Sequence, residues 1–180
     1  AGDGELTIVY LNDVHGHIEP FKRFGSEEEV GALAKAAVYV ERLREENPNV
    51  LLLAAGDMIH GSSEVNFFGG LPVIEVMNHM GFDAMAIGNH EFDFGREQLL
   101  RLAQVAKFPF LGANVTRYDG SLLLGDCAIF EVGGVKVGVF GLTTVDTPIT
   151  THPKNVIGLK FLDAAAIAGK MVDVFSGQVD

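Results

Sequence analysis

Hydrophobic and polar positions repeat along the chain with two different periods, which together predict alternating strands and helices. Short runs of aliphatic and β-branched residues are typical of buried strands, and apolar residues recurring every three to four positions are typical of helices packed on one face. The predicted strands are 6–11, 50–55, 84–87, 108–113, 127–132 and 135–142. The predicted helices are 30–47, 71–80, 96–107 and 164–175. This order predicts an α/β fold built on a mainly parallel sheet.

Turn and capping residues mark the boundaries of several of these elements. Gly133-Gly134 separates the last two predicted strands, and two residues of this kind favour a tight antiparallel hairpin. Pro72 falls in the first turn of the second helix and Gly81 directly after its end, where these residues are favoured. Asp163 precedes the last helix as a plausible N-cap. We therefore expect the parallel sheet to be followed by an appended hairpin.

Composition limits the classes of function that the chain serves. The 180 residues carry a formal net charge of −11, which argues against a binder of nucleic-acid polymers because such a protein needs a basic face. A single cysteine, Cys127, excludes an internal disulfide framework and cysteine-rich zinc modules. No apolar run approaches the roughly 20 residues of a membrane-spanning helix, and the first residues lack the pattern of a signal peptide. The sequence thus indicates one acidic domain with no membrane span.

Polar side chains follow three successive predicted strands. The segments 12–17 (NDVHGH), 56–57 (GD) and 88–93 (GNHEFD) each begin where a strand ends. The carboxyl ends of parallel strands line the ligand crevice of an open α/β sheet, so these side chains are expected at one edge. Carboxylates mixed with imidazole and amide groups suit divalent ions such as Zn²⁺, Mn²⁺ or Fe²⁺. Asp57 comes from the middle cluster and is the natural bridge between two ions.

These motifs also resemble those of a known family. The segments 12–17, 56–57 and 88–93 are similar to the signature of calcineurin-like metallophosphoesterases. The longer segments 88–95 (GNHEFDFG), 111–115 (LGANV) and 137–148 (VGVFGLTTVDTP) look like the 5′-nucleotidase family within that superfamily. The resemblance covers about residues 6–163. It implies the α-β-β-α sandwich of that superfamily, here in truncated form, with a mainly parallel sheet plus an antiparallel hairpin.

The resemblance implies a role for each site residue. Two divalent metal ions, Zn, Mn or similar, would be held by Asp13, His15, Asp57 and Asn89, with Asp57 bridging them. Asn89 and His90 would also contact the phosphoryl group of the substrate. His90 would stabilise charge and assist the leaving oxygen while Asp93 orients its imidazole, so the catalytic residues are His90 and Asp93. A water activated by the metals would be the nucleophile.

Several neighbouring residues allow a second interpretation. His60 follows Gly56-Asp57 closely enough to reach the cleft, although a surface position is the simpler expectation. His17 is expected at the surface or behind the metal ligands. Cys127 has no motif around it, and a buried apolar role is favoured over a catalytic one.

The chain departs from the family pattern at its C-terminal side. The family takes further metal ligands from a later Ser-His pair and a Gly-His-x-His motif, and neither occurs here. We therefore interpret residues 1–180 as the N-terminal part of a metallophosphoesterase domain, without its remainder or the C-terminal nucleotide-specificity domain. The 180-residue chain alone is expected to be weak or inactive. An uncovered sheet face is expected to expose apolar surface, which a partner or self-association would cover.

The resemblance implies, for the full-length parent, the two-metal hydrolysis of phosphomonoesters, foremost of nucleoside 5′-monophosphates to nucleoside and phosphate. This chain would carry about half of the site. Cyclic-nucleotide phosphodiesterase, nucleotide-sugar pyrophosphatase and thiosulfohydrolase activities belong to the same scaffold and stay open as alternatives. A non-catalytic metal-binding interaction module is the alternative from another class. The resemblance alone implies a periplasmic, cell-surface or extracellular location.

Overall fold

The computed structural model describes residues 5–22 and 24–180. Residues 1–4, part of the stretch expected to lack a signal peptide, lie outside this range. The strands are β1 Thr7–Leu11, β2 Phe21–Lys22, β3 Glu29–Val30, β4 Val50–Ala54, β5 Ala84–Ala86, β6 Phe110–Leu111, β7 Val115–Arg117, β8 Cys127–Val132, β9 Val135–Phe140 and β10 Leu159–Phe161. The α-helices are α1 Ala32–Glu46, α2 Ser63–Phe67, α3 Leu71–Met80, α4 Arg96–Val105, α5 Thr147–Thr150 and α6 Ala164–Phe175. Short 3₁₀ helices span His90–Phe92 and Pro153–Val156.

A four-stranded sheet with the order β1-β4-β5-β6 organises the fold, and all three of its pairings are parallel. Strands β8 and β9 pair antiparallel with Val132 opposite Val135, so Gly133-Gly134 forms the connecting turn. The predicted parallel sheet with an appended antiparallel hairpin is confirmed. Within the described residues the hairpin forms its own two-stranded sheet, as do the pairs β2–β3 and β7–β10.

The main hydrophobic core lies between the four-stranded sheet and the helices that connect its strands. The helices α1, α3 and α4 each contribute fully buried side chains to it, among them Leu33, Met77 and Leu99. Val9 and Leu11 of β1 pack against the same core. The core thus fixes one face of the sheet and holds the carboxyl ends of its strands in place.

The opposite face of β1 exposes apolar side chains, as the sequence predicts. Ile8 and Tyr10 are 51% and 69% exposed and alternate with the core-facing positions of the strand. A groove of about 190 Å³ runs between this face and β9, where Tyr10 and Leu53 face Val139 and Phe140. Self-association through this face stays a prediction.

Two helices begin and end where their capping residues predict. In α3, Gly81 adopts a left-handed conformation with φ of 69° directly after the last helical residue. This conformation favours glycine at the end of a helix. In α6, the carboxylate of Asp163 accepts a hydrogen bond from the Ala166 amide at 2.7 Å. This is the hydrogen bond of an N-cap, so both boundaries follow from local backbone chemistry.

Other boundaries differ from the prediction because tertiary pairing overrides the local pattern. The first helix begins at Ala32 because Val30 pairs with Phe21 in the β2–β3 ribbon. The strand predicted at 108–113 is reduced to β6, since only Phe110 and Leu111 pair with β5. Helix α2 and the β7–β10 pair have no counterpart in the prediction. Among the described residues, no helix combines the length and the apolarity that crossing a membrane requires.

Candidate functional site

The loop that follows β1 is hydrogen-bonded to the loop that follows β4. The amide of Asp13 donates to the carbonyl of Gly56 at 3.1 Å, and the amide of His15 donates to the carbonyl of Asp57 at 3.1 Å. The amide of Gly16 continues the series to the carbonyl of Met58 at 2.8 Å. Parallel pairing therefore extends beyond the strands and places three predicted ligands side by side.

A buried carboxylate joins the β4 loop to the β5 loop. Glu91 is fully buried and accepts hydrogen bonds from the amides of Asp57 and Met58 at 2.8 Å and from the amide of Gly88 at 2.7 Å. Burial raises the pKa of this carboxyl above its ordinary value, and the three amide donors act against that rise. Glu91 follows His90 within the 88–93 motif, but the motif alone does not predict this role for it.

Three predicted metal ligands have an unusual backbone conformation. Asp13, His15 and Asp57 adopt φ values of 52°, 49° and 57°. These positive values lie in the left-handed region that side-chain-bearing residues seldom occupy. Such residues cluster where surrounding contacts hold them for a function. The shared conformation is independent support for this edge of the sheet as the functional site.

A close backbone approach at Gly88 sets the position of Asp57. A Cβ atom added at Gly88 would overlap Oδ1 of Asp57 and lie 2.9 Å from its carboxylate carbon. The same Oδ1 accepts a hydrogen bond from the His90 amide at 2.9 Å. Only glycine at this position leaves room for the carboxylate of Asp57 against the β5 loop.

The side chains at this edge form a set of donors that suits a divalent cation. His15, Asp57 and His90 each offer one ligand atom, and these atoms lie within 4.8 Å of one another. Ligands on opposite sides of an ion stand about 4 Å apart, given bonds of about 2.0–2.2 Å to nitrogen and oxygen, so this spacing suits an ion held by the predicted ligands His15 and Asp57, with His90 next to it. Oδ1 of Asp13 lies 3.5 Å from Nε2 of His15, beside this group. The donor set therefore fits a divalent metal, and the ligand role of each residue stays a prediction.

His90 and Asp93 form a hydrogen-bonded pair next to these ligands. Nδ1 of His90 is 2.6 Å from Oδ2 of Asp93. Partial burial lowers the pKa of His90, but the hydrogen bond and negative charge of Asp93, helped by the charges of Asp57 and Glu91, outweigh it and raise the pKa above its ordinary value. The chain's own charges thus favour an imidazolium at His90, whereas a bound cation would oppose this shift. Asn89 precedes the pair at the start of the 3₁₀ helix, and its ligand role stays a prediction.

Two further side chains contact Asp93. His60 lies with Nδ1 3.2 Å from Oδ2 of Asp93, so it reaches the cleft rather than the open surface. Thr151, from the end of α5, donates from its hydroxyl to Oδ1 of Asp93 at 2.7 Å. The proximity of His60 to Gly56-Asp57 is a usable sequence signal, whereas no motif in the sequence marks Thr151.

The two remaining candidates lie to the side of this cluster. The ring of His17 stacks on that of Phe21 with centroids 3.8 Å apart. Cys127 is half-buried at the start of β8, where burial and the neighbouring Asp126 raise the pKa of its thiol. A raised pKa suppresses the reactive thiolate, which agrees with an unreactive role for Cys127.

Asn114 joins the segments 111–115 and 137–148 beneath the site. Its fully buried side chain donates to the carbonyl of Thr143 at 2.7 Å and accepts from the Thr143 amide at 2.8 Å. The hydroxyl of Thr143 in turn donates to the carbonyl of Ile87 at the end of β5, at 2.7 Å. Hydrogen bonds through Asn114 and Thr143 therefore connect these two segments to the backbone at the end of β5.

Comparison with known proteins agrees with this geometry. The chain is 41% identical over 164 residues to the snake venom 5′-nucleotidase of Gloydius brevicauda, an alignment that covers 85% of this chain and 28% of the relative. It is also 41% identical over 156 residues to a probable 5′-nucleotidase of Treponema pallidum, covering 81% of this chain and 26% of the relative. The chain thus spans less than a third of the length of these relatives.

Solved structures give the same result for the fold. A 5′-nucleotidase precursor from Thermus thermophilus superposes with a TM-score of 0.85 at 35% identity, over 96% of this chain and 35% of that one. The model of the calcineurin-like phosphoesterase family matches residues 6–165, which include all the site residues described above. The chain therefore belongs to the calcineurin-like phosphoesterase family.

Proposed function

We propose that this chain forms part of a metal-dependent phosphohydrolase that acts on phosphomonoesters, foremost on nucleoside 5′-monophosphates. The observation that carries the proposal is the His90–Asp93 pair, held at 2.6 Å beside the donor set of His15 and Asp57. A site that only binds a structural ion has no need of an oriented imidazole next to its ligands. The named 5′-nucleotidase relatives support nucleotides as the substrate class.

The chemistry of phosphoryl transfer matches the groups at this edge of the sheet. Water attacks phosphorus while the bond from phosphorus to the nucleoside oxygen breaks, and negative charge spreads over the phosphoryl oxygens. A protonated His90 stabilises that charge and donates its proton to the leaving oxygen, so that nucleoside and phosphate are released. Asp93 holds the imidazole in the required tautomer and orientation. When bound, divalent ions would supply Lewis acidity for the phosphoryl oxygens and for the attacking water.

We propose that two such ions bind, with Asp13 and His15 on one, Asp57 between both, and Asn89 on the second. Two ions with at least four ligands each need more donors than these four side chains provide. The remaining ligands would come from substrate, from water or from other segments of the gene product. Elemental analysis tests whether further ligands come from outside these 180 residues. It compares the metal content of the 180-residue chain with that of the full-length gene product. Two tightly bound ions in the chain of 180 residues would contradict this source of ligands.

The substrate is tested by chromatographic detection of all products formed by the full-length gene product with Mn²⁺ or Zn²⁺ present. Inorganic phosphate alone is not a sufficient readout, because a cyclic nucleotide or a nucleotide sugar is cleaved to phosphate esters and a thiosulfate ester releases sulfate. We expect AMP to be cleaved faster than a cyclic nucleotide, a nucleotide sugar or a thiosulfate ester. Cleavage of one of these three other substrates without cleavage of AMP would refute the assignment to nucleoside monophosphates. It would favour the corresponding phosphodiesterase, pyrophosphatase or thiosulfohydrolase activity instead.

The catalytic role of the site is tested by His90→Ala in the same protein. We expect a loss of kcat of at least about 100-fold, as for a general acid, with the metal content unchanged. His79→Ala, at an exposed position of α3, is the matched control and should retain the wild-type rate. Wild-type protein that binds metal but cleaves none of these substrates would favour a non-catalytic metal-binding module.

We further propose that the enzyme acts outside the cytoplasm. The support is that relatives at about 40% identity include snake venom proteins. Fractionation of the native host followed by immunodetection tests the location, and detection in the cytosol alone would contradict it.

A further inference from the structure

Asp93 is surrounded more completely than a simple histidine partner requires. Its side chain is 16% exposed, and each carboxylate oxygen has a partner of its own. Oδ2 lies 2.6 Å from Nδ1 of His90 and 3.2 Å from Nδ1 of His60, and Oδ1 accepts a hydrogen bond from the hydroxyl of Thr151. The main-chain carbonyl of Asp93 accepts a further hydrogen bond from the Asn155 side chain at 2.9 Å.

Thr151 fixes the rotation of the Asp93 carboxylate. Thr151 is buried, and its hydroxyl lies 2.7 Å from Oδ1. That distance is typical of a strong hydrogen bond to a charged acceptor. The amide of Thr151 donates to the carbonyl of Thr147 at 3.0 Å, so the end of α5 holds the hydroxyl in place. With Oδ1 held in this way, Oδ2 stays directed at His90.

His60 lies beside the imidazole ring of His90. The rings of His60 and His90 are nearly parallel, with an interplanar angle of 6° and centroids 5.6 Å apart. Phe94 contacts the ring of His60 at a centroid distance of 5.5 Å, and His15 meets His90 edge-on at 5.1 Å. The ring of His90 therefore has two other imidazoles as neighbours while its Nδ1 is bound to Asp93.

We propose that Thr151 and His60 are positioning residues of the hydrolytic site: Thr151 holds the Asp93 carboxylate, His60 holds the plane of the His90 ring, and together they aim the imidazole at the substrate. This inference rests on the proposed phosphohydrolase function. Groups that orient an active-site imidazole typically change activity by about 10–100-fold when removed, because small misalignments of a catalytic group are costly.

The contribution of Thr151 is tested with Thr151→Val and Thr151→Ser in the full-length gene product. The Val variant keeps the shape and loses the donor, so kcat should fall about tenfold while KM changes by less than about twofold. The Ser variant restores the hydroxyl and should recover kcat to within about threefold of wild type. Thr150→Val, at the neighbouring exposed position, is the matched control for local changes at α5 and should keep the wild-type kcat.

A double-mutant cycle with Asp93→Asn separates positioning from a general loss of structure. If Thr151 acts through the Asp93 carboxylate, Thr151→Val should lower kcat by less than about twofold in the Asp93→Asn background. A full tenfold loss in both backgrounds would overturn the proposal, and so would a wild-type kcat for Thr151→Val alone.

His60 is tested in parallel with His60→Leu and His60→Gln, using His79→Leu on α3 as the control. We expect kcat of the Leu variant to fall about tenfold and that of the Gln variant, which keeps a donor near Asp93, to fall less. Metal content should be unchanged in both. Loss of one metal equivalent from His60→Leu would overturn the positioning role in favour of a ligand role, because ligand atoms of His60, His90 and Asp93 also lie within 4.8 Å of one another.

A wild-type protein that is inactive on every phosphoester refutes the proposed function itself, whereas an active wild type with unaffected variants refutes only this inference.

Discussion

Replacing Gly88 by alanine tests whether the closeness of the β4 and β5 loops is a requirement of catalysis. The backbone of Gly88 is not in the left-handed region, so an alanine has no conformational penalty of its own there. Its methyl group would, however, overlap Oδ1 of Asp57 and stand 2.9 Å from both the carboxylate carbon and the amide nitrogen of that residue. Ordinary van der Waals contacts begin at 3.4 Å, so either Asp57 or the β5 loop must move by about half an ångström or more.

That movement reaches the chemistry because Oδ1 of Asp57 also accepts the hydrogen bond from the His90 amide. A displacement of about 1 Å at a catalytic group costs about 100-fold in rate, and catalytic geometry tolerates only about 0.5 Å. We therefore expect kcat/KM of Gly88→Ala in the full-length gene product to fall about 10–100-fold. Overpacking should also lower the free energy of unfolding by about 1–3 kcal/mol.

The assay is phosphate release at saturating metal, combined with thermal unfolding and a metal titration of each variant. Gly169→Ala is the matched control, because this glycine lies within α6 with no atom near the added Cβ. In a helix interior this change should stabilise the protein by about 1 kcal/mol and leave kcat/KM unaltered. A Gly88→Ala variant with wild-type kcat/KM and wild-type metal affinity would refute the idea that Asp57 is positioned by this close approach.

Three further outcomes follow from the site. Asp93→Asn removes the main group that raises the pKa of His90. Since the imidazole is protonated only below its pKa, a lower pKa should move the alkaline limb of the kcat–pH profile toward acid pH. A limb that does not move would contradict the role of Asp93. Glu91→Ala leaves the amides of Asp57, Met58 and Gly88 without their acceptor, which costs about 1–3 kcal/mol each. The free energy of unfolding, measured by thermal unfolding, should therefore fall by more than about 3 kcal/mol. A wild-type melting temperature would argue against a structural role of these three hydrogen bonds. Chelation with EDTA should abolish phosphate release and Mn²⁺ should restore it, whereas activity that persists after chelation would exclude a metal-dependent reaction.

The parts of the fold that the sequence predicts are those set by local chemistry. Helices α3 and α6 begin and end as predicted because proline, glycine and an aspartate cap define their termini. The strands β7 and β10 span three residues each and pair across some 40 intervening residues. A segment of three residues with polar as well as apolar side chains has no readable period, and only the tertiary partner makes it a strand. The sequence therefore predicts the parallel sheet but not the ribbon that supports it.

The candidate site likewise contains residues that the sequence predicts and residues that it does not. Asp13, Asp57 and His90 were predicted as site residues because each follows the end of a strand, and parallel topology brings strand ends together. Thr151 was not found, since its link to Asp93 joins residues 58 positions apart and a single threonine in a loop has no distinguishing pattern. Glu91 lay inside a recognised motif, but its position gave no sign that its acceptors face three backbone amides rather than a metal.

The hydrogen bonds between loops explain how the three predicted metal ligands keep a strained backbone. Left-handed conformations at Asp13, His15 and Asp57 cost about 1–3 kcal/mol each, about 3–9 kcal/mol together and nearer the lower value for residues of these types. Six hydrogen bonds oppose that cost, three between the β1 and β4 loops and three to Glu91. At about 0.5–1.5 kcal/mol each they contribute about 3–9 kcal/mol, which is the same range. The backbone of the three predicted metal ligands is thus held by the protein's own hydrogen bonds, and binding of a cation need not supply the energy that orders it.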